Sequence, residues 1–170
     1  MKKLIVASAI AMTMTAGSAM ASSGDIQFFG NVTAATCDVT PEVNGNVSDL
    51  IQLGTVEKNS KGGDVDLIFK ATDNNGGDCA DMTGKTASIA WSGNLTTDGI
   101  GAQTGLATDA YVVLTPDNGI DSEAITSSDN VSEFNADEVT KDGLKFKAYL
   151  QGGNTVGDFH TAVAYAVTYK

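Results

Sequence analysis

Side chains able to do chemistry are sparse in this sequence. Its 170 residues hold one histidine, ten lysines and no arginine, against 21 acids. His160 has no serine or cysteine spaced to work with it, so nucleophilic catalysis of the Ser–His or Cys–His kind has no starting point. Carboxylates are abundant, but no motif sets two of them across a cleft as an acid-pair glycosidase requires. Asp64, Asp66, Asp73, Asp78 and Asp81 suggest calcium. The stretch Asp73-Asn74-Asn75-Gly76-Gly77-Asp78, however, lacks the ligand order and closing glutamate of an EF-hand loop. No catalytic residue, metal site or cofactor is expected, and the chain reads as a non-enzyme. Lys141, Lys145 and Lys147 form a candidate contact for an anionic sugar such as sialic acid, with no ring paired to them for stacking. Trp91 reads as a packed core aromatic, with a sugar platform as the lesser alternative.

The charge points the same way. Met1-Lys2-Lys3 is a short cationic start, an apolar run follows from Leu4 to Met14, and Ala19-Met20-Ala21 supplies small residues for cleavage after Ala21. Residues 1–21 therefore read as a secretory signal peptide. The run is interrupted by Thr13, Thr15 and Ser18 and falls short of the ~20 residues that span a bilayer. Cleavage leaves 149 residues with 8 lysines against 21 acids, a net charge of −13. A surface that negative repels polyphosphate, so nucleic acid is excluded as a partner. With 42% hydrophobic residues the mature chain can still build a core. Export also bears on Cys37 and Cys79, the only two cysteines. One disulfide is the default in an oxidising compartment; a two-thiolate metal site and two free thiols are the alternatives.

The elements that must position these residues are strands. Ile26, Phe28 and Val32 alternate with Gln27, Phe29 and Asn31. Val65, Leu67 and Phe69 alternate likewise, as do Ile89 with Trp91, Val112 with Leu114, and Leu144, Phe146, Ala148 with Leu150. The longest alternation closes the chain, where Phe159, Val163, Tyr165, Val167 and Tyr169 share one face. Period-2 runs rich in β-branched and aromatic residues fit half-buried pleated surfaces. Clusters such as Asn44-Gly45-Asn46, Lys61-Gly62-Gly63-Asp64 and Gln151-Gly152-Gly153-Asn154 separate them with turns. Residues 117–142, with eight acids, read as exposed loops with an edge strand. The fold expected is one all-β domain, an immunoglobulin-like sandwich.

Both chain ends are unusual. Gly24 to Val32 alternates almost from the mature N-terminus, with Gly30 where another inward side chain is due. A glycine there leaves space on the buried face or lets a partner approach the backbone. At the other end Gly157 lies fourteenth from the last residue and Tyr169 is penultimate. With Cys37 and Cys79 between them, in this order and after a signal peptide, these features resemble the subunits of chaperone–usher fimbriae, the type 1-like pilins. The stretch Pro41-Glu42-Val43-Asn44-Gly45-Asn46, with Trp91-Ser92-Gly93 downstream, is similar to the major subunits of enterotoxigenic-type fimbriae.

The resemblance implies an incomplete immunoglobulin-like β-sandwich lacking its last strand, which a donor strand completes. Residues 22–33 would be that donor extension and residues 34–170 the pilin domain. Ile26, Phe28 and Val32 would be the donated side chains, with Gly30 at the small position. Phe159, Val163, Tyr165, Val167 and Tyr169 would edge the acceptor groove, Gly157 would mark its start, and the Lys170 carboxylate would anchor on a basic chaperone residue. The implied partners are a periplasmic pilus chaperone, an outer-membrane usher and neighbouring subunits in a homopolymer on the bacterial surface. A host glycan receptor is a further candidate partner. The alternatives are an ordinary first strand in a complete sandwich, as in a secreted carbohydrate-binding module, or a minor adaptor subunit of the same fimbria.

Overall fold

The computed structural model describes residues 37–72, 79 and 82–170. The expected signal peptide and donor extension, with Ile26, Phe28, Gly30 and Val32, lie outside the described residues. The strands are Val39–Val43 (β1), Asn46–Val47 (β2), Val65–Ala71 (β3), Thr86–Gly93 (β4), Ile100–Gly101 (β5), Thr104–Gly105 (β6), Tyr111–Pro116 (β7), Val131–Asn135 (β8), Leu144–Gln151 (β9), Phe159–His160 (β10) and Val163–Tyr169 (β11). Among the described residues they form a larger sheet in the order β2-β1-β3-β9-β7-β5, a smaller one in the order β11-β4-β8, and a β10-β6 ribbon. Every pairing between these strands is antiparallel.

Alternation decides which faces meet. In β9 Leu144, Phe146, Ala148 and Leu150 are buried, while Lys145, Lys147 and Tyr149 between them are only partly covered. β3 turns Leu67 and Phe69 inward, and β4 turns Ala87, Ile89 and Trp91 toward them from the smaller sheet. Aromatic rings lock the two layers. Phe69 meets Trp91 at 5.9 Å between centroids, Trp91 meets Phe146 at 5.4 Å, and Phe134 meets Phe146 at 5.2 Å. These edge-on contacts add about 0.5–1.5 kcal/mol each to the area they bury. Trp91 is thus the core aromatic that the sequence suggests. The β1–β2 hairpin closes through Asn44-Gly45, with φ of 51° and 77°, the positive pair that a two-residue turn requires.

Two expectations need correction. Phe159 to Tyr169 is not one strand. Phe159 pairs with Gly105, whereas Val163 pairs with Gly93 in the smaller sheet. Between them the chain is held by side chains: Gln103 accepts from the Ala162 N–H at 3.1 Å and donates to its carbonyl at 3.0 Å, and the Thr161 hydroxyl donates to the Gly101 carbonyl at 2.8 Å. The acid-rich region, for its part, contains the expected edge strand β8 but is not merely solvated. Ile125, Phe134, Ala136 and Val139 are buried, because inward residues alternate with the acids that dominate the composition.

Cys37 and Cys79 are joined, with Cα atoms 4.7 Å apart, 42 residues apart in sequence and both buried. Closing such a loop stabilises by roughly 4 kcal/mol in the chain-entropy account. Reductant should therefore lower the urea midpoint of the purified full chain by an amount equivalent to about that figure. An unchanged midpoint would show that the bond carries no such share.

Candidate functional site: a groove beside the C-terminal strand

The inner face of the larger sheet is wider than the smaller sheet can cover. Leu67 of β3, Ala148 and Leu150 of β9 and Val112 and Leu114 of β7, with Trp91 at one side, form the floor of a groove of about 980 Å³. One wall is residues 49–58 and the other is residues 155–163. Ile51 and Leu53 of the first wall pack partly against the core. A groove with a hydrophobic floor, whose ionisable lining residues Asp49, Glu57, Lys58, Asp158 and His160 all lie in its walls, suits an extended apolar peptide segment rather than a small polar substrate.

β11 runs on from the second wall, to which it contributes Val163; Tyr165, Val167 and Tyr169 are not among the groove's lining residues. It is the outer strand of the smaller sheet, with β4 beside it. Val163 and Val167 are half-buried against the core. Tyr165 lies 4.7 Å from the Phe69 ring and 5.9 Å from the Trp91 ring, yet 38% of it remains exposed. Phe159 belongs to the same wall from β10, touching both the main core and the small cluster of Ala107, Ala110 and Leu150. Gly157 gains a physical reason: its φ is 153°, and an added Cβ would land on the Leu106 side chain.

Tyr169 closes the far end. Its hydroxyl donates to the Cys37 carbonyl at 2.9 Å, tying the last strand to the disulfide. Burial, and then the Asp38 carboxylate, push this phenol up to about 12. Beyond it the Lys170 carbonyl oxygen accepts from the Thr86 N–H at 3.0 Å, and its ammonium meets Glu133 at 3.1 Å. The wall at 155–163 is pinned by Asp109, which sequence reasoning missed. Its carboxylate accepts from the Asn154 N–H at 2.7 Å and the Thr155 N–H at 3.1 Å, and the Asn154 bond chiefly holds its pKa below the ordinary value. The wall at 49–58 was missed too, although Ile51, Leu53 and Val56 carry a readable apolar pattern.

The lysine candidates lie outside the groove lining. Lys141 pairs with Asp137 at 2.6 Å, Lys145 with Asp142 at 3.5 Å and Lys147 with Asp117 at 2.7 Å. Hydrogen bonds to Asp137 and Asp117 raise the pKa of Lys141 and Lys147. Each ammonium is thus met by a carboxylate of the chain itself, which lends no support to an anionic-sugar contact. His160 is exposed on β10, 3.6 Å from the Asp158 carboxylate.

Two layers of antiparallel strands with this groove define an immunoglobulin-like sandwich of the pilin type. The fold matches the crystal structure of the P pilus rod subunit PapA with a TM-score of 0.54 at 16% identity, over 87% of this chain and all of that one. No family model matches the chain. Its sequence is 49% identical to the F107 fimbrial protein of Escherichia coli over the full length of both. It is 30% identical to the K99 fimbrial protein of Escherichia coli over 99% of each, and 29% identical to the major MR/P fimbria protein of Proteus mirabilis over 100% of this chain and 99% of that one. The chain belongs to the fimbrial subunit family. As a structural pilin it associates with other fimbrial subunits in a surface fimbria.

The raised phenol gives a test with a definite sign. The folded state favours neutral Tyr169, so its contribution is whole below pH ~10 and is lost as pH rises through about 12. Absorbance titration should show one phenol ionising near pH 12, absent in Tyr169→Phe. That variant should also lose ~1 kcal/mol with its hydrogen bond. A titration identical to wild type would contradict the assignment.

Proposed function

We propose that this subunit polymerises by strand donation: residues 22–33 of one copy fill the groove of the next. The observation that carries this reading is the apolar groove floored by Leu67, Val112, Leu114, Ala148 and Leu150, which an extended segment with alternating apolar side chains would fill. Ile26, Phe28 and Val32 have the alternate spacing of side chains turned to one face, and Gly30 leaves room at the position between Phe28 and Val32. Burying three such side chains contributes roughly 1.5–3 kcal/mol each. Main-chain hydrogen bonds along the edge of β11 add a net ~0.5–1.5 kcal/mol each. Backbone pairing supplies the strength of such strand addition, and alternate side chains supply its register.

The same groove needs a guardian before assembly, since an open sheet edge beside an apolar groove invites aggregation. A periplasmic chaperone lends a strand to the groove, with Phe159, Val163, Tyr165 and Val167 as its contact edge, Gly157 at its start and the Tyr169-Lys170 end as its anchor. An outer-membrane usher then exchanges that strand for the donor of the next copy. Residues 1–21 direct export and are removed, and residues 34–170 form the acceptor domain. The chain performs no catalysis. As a shaft subunit it contributes to adhesion by carrying the fibre, and its acidic outer loops keep the polymer soluble.

Gly30→Trp, expressed with chaperone and usher, should still co-purify with the chaperone but give no fibres under the electron microscope. Fibres of normal length would sink the donor assignment. Deleting residues 159–170 should abolish co-purification with the chaperone, and a recovered complex of the truncated chain would contradict the groove edge.

A further inference from the structure

We infer that the groove opens by one wall: residues 49–58 are a strap, hinged at Asn59, that swings aside to admit or release an extended apolar segment. The inference rests on strand donation for the identity of that segment and adds how the site is gated. The two walls are held very differently. The second wall is bonded along most of its length. Asp109 accepts from the Asn154 and Thr155 N–H groups. Asp158 accepts from the Leu106 N–H at 3.3 Å through its carboxylate and from the Ala107 N–H at 3.1 Å through its carbonyl. Phe159 and His160 pair with β6, and the Gln103 side chain holds Ala162 through both its N–H and its carbonyl.

The first wall has nothing comparable. Among the described residues, Ile51 to Val56 make no hydrogen bond. Apolar packing holds them instead: Ile51 and Leu53 rest on the main core, and Leu53 and Val56 on the cluster of Ala107, Ala110 and Leu150. A segment without backbone bonds opens at a far lower free energy than the core it covers. Its ends, by contrast, are fixed. The Ser48 N–H donates to the Pro41 carbonyl at 3.1 Å. At the other end the Asn59 N–H donates to the Gly153 carbonyl at 3.1 Å, and its side-chain amide donates to the Asn154 Oδ1 at 2.9 Å. Asn59 has a φ of 53°, a left-handed conformation that Asn and Gly adopt readily and that turns the chain at this point. Asp109 holds Asn154 in turn, so the strap pivots on the fixed wall. The floor residues Leu67, Leu114 and Ala148 are buried although they line the groove, which fits a strap resting over them.

Leu53 and Phe159 are a matched pair for reading this asymmetry. Both are half-buried, and both pack against the main core and the small cluster, one from each wall. In the purified full chain, with the Cys37–Cys79 bond intact, the thiol of Leu53→Cys should react with a maleimide about tenfold faster than that of Phe159→Cys. Equal rates, or a faster Phe159→Cys, overturn the inference. Asn59→Gly keeps the turn and removes only the side-chain bond to Asn154. It should raise the Leu53→Cys rate several-fold and leave the Phe159→Cys rate unchanged; equal rises overturn the inference, since the walls would then move together. A fluorescent peptide of residues 22–33, once bound, should leave the Asn59→Gly chain several-fold faster than wild type, and equal release overturns the gate. A peptide that never binds would instead reject strand donation itself, so the two failures are distinguishable.

Discussion

The two layers of this sandwich do not match in width, and that mismatch governs the rest of the structure. Six strands stand in the larger sheet and three in the smaller, among the described residues. Neighbouring strands lie ~4.8 Å apart, so a strip of the larger sheet's inner face stands opposite no strand of the smaller layer. The strip is made of core side chains: Leu67, Val112, Leu114 and Ala148 are buried, yet they also floor the groove. The same residues therefore hold the subunit together and, under the proposed strand donation, would meet the strand of the next.

This shared use explains why β11 is built as it is. Trp91 and Phe69 anchor Tyr165 from below, while the ring's outer part stays in water. At the far end Tyr169 is fastened to Cys37, whose disulfide in turn fixes the start of β1 to Cys79. The strand is thus held at one end and along one side, while its upper wall is pinned by Gln103 and Asp109. A braced edge keeps the groove in shape without a ligand, which lowers the ordering cost of filling it.

Much of this was legible in the sequence because alternation carries it. The inward residues of β3, β4, β7 and β9 can be read from period 2 alone, and the two cysteines have only each other to pair with. The break at Thr161-Ala162 was not legible, since Thr161 continues the alternation and the interruption comes from the distant Gln103 side chain. The buried Ile125, Phe134 and Val139 were hidden by acids that dominate local composition without dominating both faces of the chain. The groove wall at 49–58 forms no regular strand, so period-2 reasoning passed over Ile51 and Leu53. Asp109 was unreadable for a plainer reason: its partners are backbone N–H groups 45 and 46 residues away.

The central claim is that the apolar groove of each subunit is filled by a strand from another copy. Electron cryo-microscopy of assembled fibres tests it most directly. The account predicts density for residues 22–33 of a neighbour along the outer edge of β11, running antiparallel to it, with Ile26, Phe28 and Val32 turned toward the floor of Leu67, Trp91 and Leu114. A groove left empty, or filled by the subunit's own chain, would contradict it.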